Sequence, residues 1–360
     1  MKLNNNQFYV YGAGTFGPSL VSYLVSLGKR PICVLDIAPK KVQLSSVPVV
    51  RPSEVQIDFS LPVVVSVIGY DEDIRTLGFC KLMTVFEVFK TFPQALYNFT
   101  LSGMNWMSAP KELQAVDSCL KELSNLLVDE KSKDTLAKLV SFRKNPSSQT
   151  YPWPQGHEEY FPEDVPRLYQ YEELKILDCG AFDGDTISAF YNRFKSKVRR
   201  YYAVEANTSN ITNLKARLAR ENIEKGNWLS LHHVAVGDRN GQIDIADDGS
   251  ASSILCNESS DQMRSEKVKL VTIDDLLDGS AINVLKMDIE GAEEWAIKGA
   301  KSTIVTHKPT LALSIYHRPQ DLWYLAFLVE SITPNTYNYY IRHEGHWGFE
   351  TVLYAIPKVF

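Results

Sequence analysis

Residues Ile176 to Thr186 read "ILDCGAFDGDT". An apolar run breaks into a turn carrying Gly180 and Gly184, and the turn is surrounded by Asp178, Asp183 and Asp185. Near the N-terminus "YVYGAGTFG" (Tyr9 to Gly17) repeats the strand-then-glycine design without the acids. Each is a strand-to-helix turn of an α/β unit, where ligands sit in the crevice beyond the strand ends. The acids separate the two. Carboxylates in the turn repel a phosphate but suit a ligand with a positive centre and free hydroxyls. S-adenosylmethionine, with its sulfonium, ammonium and ribose hydroxyls, is such a ligand. Its expected contacts on the turn are Asp178, Gly180, Ala181, Asp183, Gly184 and Thr186.

Downstream, "YYAVEAN" ends a strand at Glu205, where an acid meets ribose hydroxyls in a doubly wound sheet, and Asn207 adds a polar contact. "LKMDIEGAEEWAIKGA" sets Asp288 and Glu290 two apart at the end of an apolar strand, on one side if the pleat persists. "LALSIYH" delivers His317 at the next strand end. Three arrangements stay open. His317, with an ordinary pKa near 6.5, takes a hydroxyl proton while Asp288 or Glu290 orients it. Alternatively Asp288, Glu290 and His317 hold a divalent metal. In the third, Asp288 packs by the methionine moiety and Glu290 caps the following helix.

Strand and helix patterns alternate from Leu174 to the end, and "YNYYIRHEGHWGFETVLYAIP" reads as a terminal hairpin. An open, mostly parallel sheet with an antiparallel last strand follows. His343 and His346 flank the hairpin turn and, with Trp347, are candidates for the acceptor site; solvent-facing loop histidines are the alternative. Ser253, in "SSIL", is a candidate beside the adenine or the substrate mouth.

The ordered set "ILDCGAFDGDT", "YAVEAN", "VAVGD", "SSIL", "VTIDDLL", "VLKMDIEGAE" and "ETVLYA" resembles the FkbM family of S-adenosylmethionine-dependent methyltransferases over Leu174 to Pro357, about half the chain. The resemblance implies a class I methyltransferase fold, a doubly wound seven-stranded sheet with its last strand antiparallel. It also implies O-methylation, often of sugar hydroxyls. The acceptor is then a sugar, nucleotide-sugar or glycan intermediate. The catalytic pattern does not extend into the N-terminal segment, which is similar to small Rossmann-like modules of bacterial glycan-biosynthesis proteins.

That segment carries a full GxGxxG at Gly12, Gly14 and Gly17, with Asp36 ending the next strand at a ribose-binding position. It is short for a dinucleotide, which spans two mononucleotide halves. An NAD-dependent oxidoreductase is therefore a lesser alternative, as is a non-catalytic scaffold. The expected layout is a Rossmann-like α/β module over 1–108, a helical connector and Pro- and aromatic-rich strap over 109–173, and the methyltransferase domain over 174–360. The strap "NPSSQTYPWPQGHEEYFPEDVP" holds too many breakers for a regular element, and its aromatics argue for order close to the substrate site.

Of the 360 residues 44% are hydrophobic and 22% charged, which is ordinary for a globular protein. The net charge of −5 supplies no basic footprint for nucleic acid. No apolar run reaches the ~20 residues of a membrane-spanning helix. The start, "MKLNNNQFYVYG", lacks the apolar core of a secretion signal. Cys33, Cys80, Cys119, Cys179 and Cys256 form no paired framework, and a cytoplasmic location is expected. A homo-oligomer is compatible with all of this.

Overall fold

The computed structural model describes residues 3, 7–97, 99–101, 104–105, 107, 110–223, 226–246 and 265–358. The chain forms two compact units. The first comprises Met1–Leu101, Asn105–Gln114 and Leu139–Tyr151; the second comprises Ser102–Met104, Ala115–Lys138 and Pro152–Phe360. The connector expected over 109–173 is thus no body of its own, because its residues divide between the two units. Its helical part forms Pro110–Ala115, Asp117–Leu126 and Glu130–Lys144, while 152–173 carries no helix or strand.

The first unit is built on β1 (Tyr9–Tyr11), α1 (Gly17–Ser26), β2 (Val34–Leu35), β3 (Gln43–Leu44), β4 (Val47–Val50), β5 (Val63–Val65) and β6 (Leu82–Met83). The strand order is β3-β4-β2-β1-β5-β6, parallel except where β3 pairs with β4. The central strands read as unbroken apolar runs because both faces are covered.

In the second unit the main sheet comprises β7 (Leu174–Cys179), β8 (Val198–Glu205), β9 (Leu229–His233), β10 (Val284–Met287), β11 (Thr310–Ser314), β12 (Tyr337–His343) and β13 (Thr351–Pro357). They lie in the order β9-β8-β7-β10-β11-β13-β12. β13 is antiparallel to both of its neighbours, and the other adjacent pairs are parallel. This is the α/β class I methyltransferase sheet that the sequence patterns predict. A small three-stranded sheet is formed by Ala235–Val236, Gly241–Ala246 and Ser265–Val271. Helices α2 (Asp185–Phe194), α3 (Thr208–Arg220) and α4 (Glu293–Lys298) begin just beyond the ends of β7, β8 and β10. Strand order reverses across β7 and β10, so a crevice opens there. Among the described residues no helix is long and apolar enough to cross a membrane.

Candidate active site

The turn after β7 is fixed by backbone geometry. Gly180 has φ +82°, and a Cβ there would lie 1.8 Å from the carbonyl oxygen of Asp288, so only glycine fits. The Gly180 and Ala181 N–H groups both donate to Val204 O, at 2.9 and 3.0 Å. Gly184, at φ +85°, opens α2.

A cavity of about 270 Å³ lies over this turn, just below the ~300–1,000 Å³ usual for small-molecule sites. Glu205 lines it from the end of β8. One Glu205 oxygen accepts from Phe182 N at 2.9 Å; the other accepts from Asn207 N at 2.8 Å and Asn210 Nδ2 at 3.3 Å. A carboxylate has about four lone-pair sites, so with three in use about one remains for a ligand hydroxyl. Burial raises the Glu205 pKa. Asp185, Thr186, Asp288 and Glu290 also line the cavity, and Val234, Val236 and Ile245 give it an apolar strip. An apolar slot for a base, a carboxylate for a ribose hydroxyl and acids for positive centres together fit S-adenosylmethionine.

Other expected contacts have different tasks. Asp178 is fully buried and does not line the cavity. It pairs with Lys286 Nζ at 3.0 Å and accepts from the Tyr201 hydroxyl at 2.8 Å. Asp183 binds Arg217 at 2.5 Å. Asn207 caps α3, accepting from Asn210 N at 3.0 Å, and Asn210 reaches the cavity in its place. Ser253 lies outside the described residues.

The Asp288 carboxylate accepts from the Tyr160 hydroxyl at 2.6 Å and the Tyr316 hydroxyl at 3.3 Å. His317 Nε2 lies 3.3 Å from it and 3.5 Å from Glu290. On the other edge of the ring, Nδ1 lies 3.0 Å from Glu293, whose same oxygen accepts from Ile289 N. Burial alone would lower the His317 pKa, but Glu293 and Asp288 outweigh it and push it well above the usual value. Burial alone would raise Asp288; His317, Lys286 and Tyr160 hold it below the carboxylate range.

His317, 1% exposed and outside the cavity lining, has carboxylates on both ring edges that favour its protonated form. A ring held towards its charged form accepts a proton poorly, so this geometry favours a counter-ion role over the expected base. A metal on Asp288, Glu290 and His317 fits no better. Asp288, Glu293 and His317 offer donor atoms within 4.8 Å of one another, but the two carboxylates flank opposite ring nitrogens, so one ion cannot take both through the same nitrogen of His317.

The hairpin residues also depart from expectation. His343 is 1% exposed, with Nδ1 2.9 Å from Thr351 Oγ1 and Nε2 2.9 Å from Pro152 O. Its pKa falls to about 4, chiefly through burial. His346 meets Trp153 edge-on at 6.2 Å, and Trp347 is buried. None of the three lines the cavity: His343 is enclosed by Pro152 and Thr351, while His346 is exposed, as the alternative of a solvent-facing loop histidine has it.

Lys286, Glu159 and Tyr160 do line it, although the motifs did not single them out as contacts. Lys286 Nζ donates to Gly180 O at 2.7 Å. Its signal is a lysine inside the apolar run "VLKMD". In the first unit Asp36 accepts from Ala13 N at 2.7 Å and Ala38 N at 2.8 Å. The acid expected to meet ribose thus closes the glycine loop.

Residues 178–340 match the methyltransferase FkbM domain. The FkbM methyltransferase from Methylobacillus flagellatus KT superposes with a TM-score of 0.73 at 22% identity, covering 98% of this chain and 90% of that one. An rRNA methylase from Streptococcus thermophilus gives a TM-score of 0.33 at 12% identity, over 52% of this chain and 89% of that one. Aeropyrum pernix fibrillarin with bound S-adenosyl-L-methionine gives 0.31 at 11%, over 53% and 70%. No curated protein matches the chain.

Fold and family match together make this a class I, S-adenosylmethionine-dependent methyltransferase. Its catalytic domain belongs to the FkbM family.

Proposed function

We propose that the enzyme methylates a hydroxyl group of a sugar, nucleotide-sugar or glycan intermediate. The observation that carries the reading is the convergence of Glu159, Asp288 and Glu290 on one cavity wall beside Tyr160. Several carboxyl groups at one mouth accept hydrogen bonds from neighbouring hydroxyls, while a phosphate held there is repelled. The reacting end of the acceptor is then an uncharged polyol, and any phosphate of a nucleotide sugar lies away from this wall.

S-adenosylmethionine supplies an electrophilic methyl group. Gly180, Glu205 and Asp185, which line the cavity, would hold and orient that cofactor. Aligning the hydroxyl in line with the methyl group contributes several kcal/mol, on the order of the proximity effects of intramolecular reactions. Asp288, fixed by Tyr160 and Tyr316, accepts a hydrogen bond from a neighbouring hydroxyl and sets the ring orientation.

The test has two stages. Titration calorimetry with S-adenosylhomocysteine and, separately, NAD is expected to give heat only for the former, lost in Glu205→Ala. Methyl-tritiated S-adenosylmethionine is then offered with a panel of free sugars, nucleotide sugars and lipid-linked glycans, the product being read by NMR. An O-methyl ether supports the reading. Label appearing only on amines or carboxylates overturns it.

A further inference from the structure

His317 does not line the cavity and is flanked by carboxylates, so the acceptor proton needs another destination. Asp288 is a poor substitute, since it is strongly acidic and already receives two tyrosine hydroxyls. Glu205 already accepts from the backbone of Phe182 after β7 and of Asn207 after its own strand. Burial and neighbouring carboxylates push the Tyr160 hydroxyl well above its ordinary pKa.

Glu159 differs from these. It reaches the cavity from the strap, next to Tyr160, whose left-handed φ of 65° turns the chain there. Its Oε1 is buried and has no hydrogen-bond partner among the described residues. Buried polar atoms are nearly always paired, so an unpaired one on a cavity wall marks a place for a ligand group. The facing groups are Asp288 and Lys286 from the β10 end, Glu350 just before β13, Tyr160 beside it, Tyr316 after β11 and Tyr354 on β13. Burial, then Asp288 and Glu350, raise its pKa to about 8, with Lys286 and a hydrogen bond from the Tyr160 hydroxyl to the carboxyl group opposing. Two carboxyl groups of one cavity are thereby driven apart in proton affinity, the arrangement that divides acid and base roles.

We propose that Glu159 is the general base of the transfer: it carries a proton in the ligand-free enzyme, loses it to solvent when the sulfonium enters the cavity, and then receives the proton of the acceptor hydroxyl on Oε1. In that step a lone pair of the hydroxyl oxygen forms the O–C bond. The C–S pair stays with sulfur, the sulfonium becoming a neutral thioether, and the hydroxyl proton moves to Glu159. The step rests on the hydroxyl-acceptor reading; the proton release rests only on cofactor binding.

The release is measurable without any acceptor. Calorimetry at pH 7 in buffers of different ionisation enthalpy counts protons exchanged on binding S-adenosylmethionine and S-adenosylhomocysteine, which share every titratable group but differ in the sulfonium. The cationic ligand is expected to release more, by roughly half to one proton per protein, because a nearby positive charge favours the carboxylate. Glu159→Gln, close to isosteric, abolishes the difference while still binding S-adenosylhomocysteine, and Glu159→Asp retains part of it. With a hydroxyl acceptor in hand, Glu159→Gln lowers kcat by roughly 10²–10⁴-fold. Equal release for both ligands, or a difference that survives in Glu159→Gln, overturns the proposal and leaves the hydroxyl-acceptor reading intact. Failure of both nucleosides to bind overturns the proposal together with the cofactor site. O-methylation at an undiminished kcat in Glu159→Gln overturns the base alone.

Discussion

Lys286 and Asp178 form an ion pair inside the second unit, with Nζ 3.0 Å from Oδ1 and side-chain exposures of 3% and 0%. The pair links adjacent strands β10 and β7, and the same ammonium donates to Gly180 O. Burial alone would lower the Lys286 pKa, but Asp178 and Asp288 outweigh it and keep the lysine charged. Removing one member of such a pair leaves the other charged and buried, which costs about 3–5 kcal/mol. Lys286→Met is therefore expected to lower the urea midpoint strongly. Asp178→Asn also destabilises, since an amide oxygen turned to Tyr201 leaves its NH2 facing the Lys286 ammonium, although the nearby Asp288 charge still offsets part of that charge. The double variant recovers part of the single-variant loss. A double mutant as unstable as the sum of the singles would show that the two side chains are not coupled.

What the sequence disclosed followed from how local each feature was. The turn at Gly180 and the strand-end acid Glu205 are written in a few consecutive residues, and both were legible. So was the antiparallel last strand, from the alternation around the hairpin. The Tyr160–Asp288 hydrogen bond joins positions 128 apart, and Tyr160 sits in a strap with no periodicity to read. An isolated imidazole titrates near neutrality and so reads as a base; Glu293, which favours the charged ring, meets His317 only through packing. His343 was placed at the acceptor site by its turn, yet Pro152 and Thr351 enclose it.

The imidazolium of His317 lies between Glu293 on one edge and Asp288 and Glu290 on the other. Glu293 is fully buried. His317→Gln removes the charge that neutralises it, and a loss of about 3–5 kcal/mol is expected from the stranded carboxylate. An ion-pair network, unlike a metal centre, is indifferent to chelators. Dialysis against EDTA should leave both the melting temperature and S-adenosylhomocysteine affinity unchanged. A fall in either, reversed by adding a divalent cation, would reinstate metal ligation.

The three glycines of the N-terminal loop are not equivalent. A Cβ on Gly17 would stand 2.4 Å from Gly12 O, and one on Gly12, at φ +103°, 2.6 Å from Ser66 Oγ. Gly14 has nothing within 4 Å of a built Cβ. Gly17→Ala must therefore shift the backbone and destabilise the first unit, by roughly 1–3 kcal/mol as overpacking does. Gly14→Ala should stay within about 0.5 kcal/mol of wild type, like most open surface changes. Thermal melts of the full chain decide this. Equal losses in the two variants would mean that the loop is shaped by something other than close packing.

His343 makes stability depend on pH in a definite direction. Burial holds its folded pKa at about 4, below the usual 6.5. Between those values the unfolded chain binds the proton and the folded chain does not, so stability rises with pH across this window. The contribution is complete above pH 6.5 and is lost as pH falls towards 4, amounting to about 3 kcal/mol at full extent. Urea unfolding at several pH values between 4 and 7 should show this slope. His343→Gln should flatten it, although the variant is less stable at pH 7 because the bonds to Thr351 and Pro152 are disturbed. The informative quantity is the difference in slope between the two proteins, since the carboxylates of the second unit titrate in both. An unchanged slope in the variant would mean that His343 takes up its proton in the folded state, with the Pro152 carbonyl stabilising the imidazolium against burial.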